Sequence, residues 1–217
     1  MRRDLLVTDE IAAAAVRVFL RERPRTVVLA GGTTPRAVYA RLAEEEYDWP
    51  SLEVFFSDER CVPPEHPGSN YRMANETLLS KVPVRLHRMR GETCDASGYE
   101  RELRSMFGND LPAFDLTFLG LGEDGHTASL FPGDPALREE ERWVVRVSGP
   151  TSPRLTLTIP VLSVSKLALF LVAGAEKRHA LRRLIAAEDI PAARVNARRV
   201  VIIADKAAVP DTMDRQL

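Results

Sequence analysis

The chain has 217 residues, 45% of them apolar, which suffices to bury one sizeable core and predicts a single domain over residues 1–217. Thirty basic residues against 31 acidic ones give a formal net charge of −1, so no global basic field exists of the kind that gathers nucleic acid or an anionic membrane surface. No run of about 18 apolar residues is present, which argues against a membrane-spanning helix, and any anionic ligand must be held by local charges.

The opening Met1-Arg2-Arg3-Asp4-Leu5-Leu6 has the start of a basic export signal, but Asp4, Asp9, Glu10 and Arg17 interrupt the apolar stretch that such a signal needs. A cytoplasmic location is therefore expected, and in a reducing compartment Cys61 and Cys94 are expected to be free thiols. Thr8-Asp9-Glu10 reads as a helix start before Ile11 to Leu20, and Thr26 to Ala30 as the buried strand that follows. Helical spacing resumes after Pro35, which suits the first helical position. Leu52 to Phe56 is a second strand, and Asn70 to Leu79 a helix entered from the proline-rich loop 61–68. Phe114 to Leu119 and Leu167 to Ala173 are further buried strands; the second leads into a helix over Ala175 to Ala187, and Arg199 to Ala204 closes the set. Trp143 to Val147 and Leu155 to Ile159 alternate enough to be strands, antiparallel or at an edge.

Apolar runs alternating with amphipathic segments predict an α/β domain: a mostly parallel, Rossmann-like open sheet flanked by helices. The strands at 26–30, 52–56, 114–119 and 167–173 each run into a polar or glycine-rich turn, and in open α/β sheets ligands bind at that edge. The turns are Gly31-Gly32-Thr33-Thr34, Ser57-Asp58-Glu59-Arg60, Gly120 to His126 and Gly174 to Lys177. The first aims backbone N–H groups at a cleft, a geometry that binds phosphate; the same glycines serve equally well a tight strand-to-helix turn. It is not a Walker A loop, because the spacing and the terminal Lys-Ser/Thr are missing.

The stretch 114–133 is the most informative. Gly120, Gly122 and Gly125 match the dinucleotide fingerprint in spacing, but Pro132 follows too soon for the long helix that reading requires. The turn delivers Asp124 and His126 to the cleft edge, where a histidine is placed for proton transfer near neutral pH. His66, His87 and His179 lack that setting. No His, Cys and carboxylate set has the spacing of a metal site, and no Gly-x-Ser-x-Gly elbow supplies a serine nucleophile.

Taken in order along the chain, GGTTP at 31–35, SDER at 57–60, Ser69-Asn70-Tyr71, FDLTFLGLGEDGHTASLFPG at 114–133, SPRLTLT at 152–158 and Gly174-x-x-Lys177 make the sequence resemble the 6-phosphogluconolactonases, whose relatives include the glucosamine-6-phosphate deaminases. The resemblance implies hydrolysis of 6-phospho-D-glucono-1,5-lactone in the oxidative pentose phosphate pathway, with no cofactor and no metal. It further implies that Gly32, Thr33, Thr34, Arg154 and Lys177, joined by Gly31 and Asp58, surround the substrate and its phosphate. Arg60 and His126 then face the lactone with Asp124 beside them; whether Asp58 and Asp124 orient catalytic groups or hold their loops stays open. The isomerising branch typically carries DGHIAFNEP, so Phe131 stands here in place of a glutamate that would assist the histidine. The expected partner is a small sugar-phosphate lactone, not nucleic acid or membrane; monomer and homodimer are both open.

Overall fold

The computed structural model describes residues 3–210; the reading of Met1 and Arg2 as the opening of a basic stretch lies outside them. The strands in chain order are β1 (Arg3–Val7), β2 (Thr26–Leu29), β3 (Glu53–Phe56), β4 (Asp58–Arg60), β5 (Arg85–Leu86), β6 (Leu116–Gly120), β7 (Val144–Val147), β8 (Arg154–Leu157), β9 (Leu167–Val172) and β10 (Arg199–Ala204). The α-helices are α1 (Ile11–Glu22), α2 (Thr33–Leu42), α3 (Asn70–Ala74), α4 (Ala96–Phe107), α5 (Ile159–Ser163) and α6 (Arg178–Ile185).

Seven strands form a wholly parallel sheet in the order β1-β10-β9-β6-β2-β3-β5. The expected open α/β sheet is thus present. β9, Leu-Ala-Leu-Phe-Leu-Val, is buried at every position, as a central parallel strand covered on both faces must be. From β2 the chain proceeds outward to β3, whereas from β6 it proceeds the other way to β9 and β10. The strand order therefore reverses between β2 and β6, which pair at Val27 with Leu116 and Val28 with Thr117, and a crevice opens beyond their C-terminal ends.

Helix α1 buries Ile11, Ala14, Ala15, Val18 and Phe19 on one stripe. It stops at Arg23, whose left-handed backbone (φ 47°) returns its N–H to Phe19 O ahead of Pro24. The predicted helix from Asn70 begins with Ser69, whose hydroxyl accepts from Arg72 N, and passes into a π-helical turn over Asn75–Leu79. The stretch from Ala175 opens with a 3₁₀ turn, Ala175–Lys177, before α6.

Three expectations are corrected. Pro35 is the third residue of α2, not the first, because the helix starts at Thr33 from Gly32; a missing N–H is tolerated anywhere in a first turn. The segment after β3 is not a turn alone. Asp58–Arg60 forms β4, which pairs antiparallel with β8, itself paired with β7 in a small second sheet. Finally, Cys61 and Cys94 are not free thiols but a disulfide, with Cα atoms 5.1 Å apart across a sequence separation of 33. Cys61 leaves β4 directly, and Gly91 approaches so closely that a Cβ there would lie 2.1 Å from Arg60 O and 2.9 Å from Val62 O. The 91–94 loop is thereby laid against Cys61.

Candidate active site

At the crevice between β2 and β6 lies a cavity of about 630 Å³, walled by Gly31, Gly32, Thr33, Thr34, Asp58, Arg60, His126, Arg154 and Lys177. Nine of the ten residues singled out in the sequence thus meet in one place; the tenth, Asp124, stands behind His126. Asn70, Ala128, Glu176 and Asp205 also reach the wall. Another groove, about 690 Å³ and walled by residues such as Asp134, Arg138, Glu139 and Arg146, lies elsewhere and contains no histidine.

The floor of one end is the turn from β2 into α2. Tyr39, fully buried, sends its hydroxyl back to this turn: it donates to Ala30 O (3.0 Å) and accepts from Ala30 N (2.8 Å). Burial pushes that phenol far above its ordinary range, so it stays protonated and keeps donating. Gly32 adopts φ +117°, a conformation disfavoured for side-chain-bearing residues, and α2 opens with no side-chain cap. The first N–H groups of the helix are orphaned toward the cavity, and the helix dipole adds partial positive charge there.

Two arginines supply full charges. Arg60 on β4 and Arg154 on β8 are direct register partners. Arg60 donates through Nη1 to Gly68 O (2.6 Å), while Arg154 inclines toward Ser129, its Nη1 3.5 Å from Oγ. Burial, and after it the adjacent Arg60 charge, pull the Arg154 guanidinium below its ordinary value. The Nε atoms of both arginines are buried without a partner among the described residues. Lys177, in the turn after β9, meets Glu123 at 3.8 Å.

The two acidic residues of β4 are buried and densely hydrogen-bonded. Asp58 is 5% exposed and accepts from Ser129 Oγ (2.6 Å), Ser57 Oγ (3.1 Å) and Asn70 Nδ2 (3.3 Å). Glu59, 2% exposed, accepts from the N–H groups of Arg60, Asn70 and Tyr71 and from Ser69 Oγ. Burial raises its carboxyl above the usual value even against those hydrogen bonds. Asn70 and Ser129 thus connect three turns through Asp58. Both belong to quoted motifs, but only the tertiary pairing reveals what they hold. Asp205 accepts from Gly174 N and Ala208 N, and its position just past β10 was a signal of the strand-end kind.

His126 rides on the turn after β6. Gly125 adopts φ +90°, with Ile190 so near that a Cβ would fall 2.8 Å from it; a Cβ on Gly122 would lie 2.0 Å from His126 Nδ1. Asp124 Oδ1 accepts from His126 N (3.0 Å) and stands 2.6 Å from Nδ1. Partial burial works against ionisation of Asp124, but these His126 hydrogen bonds outweigh it and hold the carboxyl below its usual value. An ionised carboxylate only accepts, so Nδ1 carries the proton and Nε2 of a neutral ring keeps its lone pair. Among the described residues Nε2 has no hydrogen-bond partner, and the ring lines the cavity. Chemically, the arrangement offers an oriented base, two guanidiniums and an anion-binding helix start around one polar space. Among the described residues no group of three His, Cys, Asp or Glu is placed to hold a metal ion.

The chain is similar to known proteins along most of its length. Residues 6–203 match the family model described as glucosamine-6-phosphate isomerases/6-phosphogluconolactonase. A 6-phosphogluconolactonase of Synechocystis sp. is 39% identical over 204 residues, covering 88% of this chain and 85% of that protein. One from Nostoc sp. is 36% identical, covering 76% and 74%. The crystal structure of the 6-phosphogluconolactonase from Thermotoga maritima superposes with a TM-score of 0.86 at 32% identity, covering 94% of this chain and all of that one. The parallel sheet, the crevice and these likenesses together establish that the chain belongs to the glucosamine-6-phosphate isomerase/6-phosphogluconolactonase family.

Proposed function

We propose that the protein hydrolyses 6-phospho-D-glucono-1,5-lactone to 6-phospho-D-gluconate, the lactone-opening step of the oxidative pentose phosphate pathway, by direct attack of water. The observation that carries this reading is the Asp124–His126 pair, 2.6 Å apart, which leaves Nε2 facing a cavity shared with Arg60 and the Gly31–Thr34 turn. His126 Nε2 takes a proton from the attacking water as its oxygen bonds to the lactone carbonyl carbon. The carbonyl oxygen becomes anionic and is stabilised by the Arg60 guanidinium. As the ring C–O bond breaks, the imidazolium returns its proton to the departing ring oxygen, so one residue serves both steps. The phosphate dianion is held by N–H groups of the Gly31–Thr34 turn, by Arg154 and by Lys177. Asp58 supports this machinery by fixing Ser129 and Asn70, and Asp124 by orienting His126. No cofactor or metal enters the scheme, and Ser129 Oγ donates to Asp58 at 2.6 Å.

The reading is tested by adding the protein to freshly generated lactone and following acid release against the spontaneous rate. Acceleration that saturates with lactone concentration is expected, and no acceleration above the spontaneous opening would refute it.

A further inference from the structure

Phe131 is not part of the cavity wall, yet it touches two groups that are. The chain turns tightly after His126: Leu130 N donates to Thr127 O (2.9 Å), and Ala128 adopts the left-handed φ of 49°. That reversal brings the Phe131 ring to 4.9 Å from the imidazole of His126, centroid to centroid, at an interplanar angle of 47°. The guanidinium carbon of Arg154 lies 5.5 Å from the centroid of the same ring.

An imidazole hinged on a single carboxylate can still swing about its terminal torsion, which is broad and soft for histidine. Asp124 holds Nδ1, but among the described residues nothing polar holds Nε2. A hydrogen-bonding side chain behind the ring would claim Nε2 or the guanidinium. A phenyl ring offers contact area, an attractive face for the cation and no competing acceptor or donor of ordinary strength.

Building on the lactonase reading above, we propose that Phe131 is a positioning residue: its ring backs the His126 imidazole and spaces it from Arg154, so that Nε2 stays aimed at the attacking water. Phe131 touches no substrate atom and acts through His126. Misplacement of a reacting group by about 1 Å costs about 100-fold in rate, which sets the scale of the effect.

The experiment is a cycle of Phe131→Ala and His126→Ala, singly and together, with Phe131→Leu as a second, better-filled variant and thermal melting as the control for folding. Inorganic phosphate serves as the probe of the anion site. In the wild-type background Phe131→Ala is expected to lower kcat by about 10- to 100-fold while phosphate affinity changes by no more than about threefold. In the His126→Ala background the same change is expected to cost less than about twofold, because the residue it positions is gone. Phe131→Leu should show the same dependence on His126 with a smaller loss. An equal loss in both backgrounds, or wild-type kcat in a folded Phe131→Ala protein, would overturn the proposal. A wild-type protein that fails to accelerate lactone opening would instead overturn the lactonase reading, before any variant is compared.

Discussion

Arg60 and Arg154 stand directly opposite each other across the antiparallel pairing of β4 with β8. Like charges at such a position destabilise a sheet, and here both guanidiniums also carry a buried Nε with no partner among the described residues. Each side chain turns to a different anchor, Gly68 O for Arg60 and the Ser129 side for Arg154. An anion entering between the orphaned helix start of α2 and these cations relieves that repulsion. Arg154→Ala and Lys177→Ala are therefore each expected to raise KM more than they lower kcat, since the phosphate charge is the same in the ground and transition states. A hydrogen bond to a charged group contributes about 1.5 to 3 kcal/mol, which corresponds to a roughly 10- to 150-fold rise in KM. Steady-state kinetics on the phosphorylated lactone measure it, and an unchanged KM in both variants would remove the assigned phosphate site.

Gly122 is the position where one added methyl group would strike both Asp124 and His126. A Cβ there would sit 2.0 Å from His126 Nδ1 and 2.6 Å from Asp124 Oδ1, so Gly122→Ala must push the pair apart. The expected result is a loss of about 100-fold in kcat, the scale of a misplaced catalytic group, in a protein whose far-ultraviolet circular dichroism is unchanged.

The disulfide gives a prediction about stability. Cys61 follows Arg60 immediately and closes a loop to Cys94. Reduction, or Cys94→Ser, should cost about 3 kcal/mol by constraint of the unfolded chain, lowering Tm by roughly 6 to 12 °C for a domain of this size. Thiol titration of the unreduced folded protein should find neither cysteine free. Full reactivity of both without reductant would contradict the pairing.

Asp115 binds the starts of β2 and β6 together. Burial opposes its ionisation, but Lys166 Nζ (2.7 Å) and the N–H groups of Arg25 and Thr26 outweigh that and hold the carboxyl below its usual value. A depressed folded value means that the unfolded chain takes up the proton more readily. The stabilisation is thus complete above the ordinary carboxylate range near pH 4 and is lost as pH falls through it toward the folded value. Asp115→Asn should lower stability by about 2 kcal/mol at neutral pH and flatten the acid limb of a denaturation series. A variant as stable as wild type at pH 7 would refute the assignment.

Much of this architecture was legible in the sequence where burial alone dictates it. β9 is apolar throughout, β2, β3 and β10 are apolar after their first residue, and β6 is broken only by Thr117 before Gly120, because these strands are covered on both faces. Elements whose cause is tertiary were not. β1 alternates half-buried and exposed positions and begins with charges, so its opening reads as the basic start of an export signal. β4 consists of Asp, Glu and Arg, and it is a strand only because β8 pairs with it. α4 buries just Tyr99 and Leu103, too weak a stripe to stand out. The cavity residues in the turns at 31–34, 57–60, 120–126 and 174–177 were legible because they follow strand ends, a rule of position, whereas Arg154, the first residue of β8, came only from the family resemblance. The supporting contacts of Ser129 with Asp58 and of Phe131 with His126 join residues by folding, and no spacing in the chain foretells the Cys61–Cys94 bridge.

The proposed lactone opening turns on His126. Comparing wild type with His126→Ala on freshly generated 6-phosphoglucono-1,5-lactone, after subtracting spontaneous opening and confirming that the variant melts cooperatively, tests it most directly. In His126→Ala, kcat is expected to fall by about 10² to 10⁴ with a much smaller change in substrate affinity. A folded His126→Ala protein that opens the lactone at the wild-type rate would contradict it.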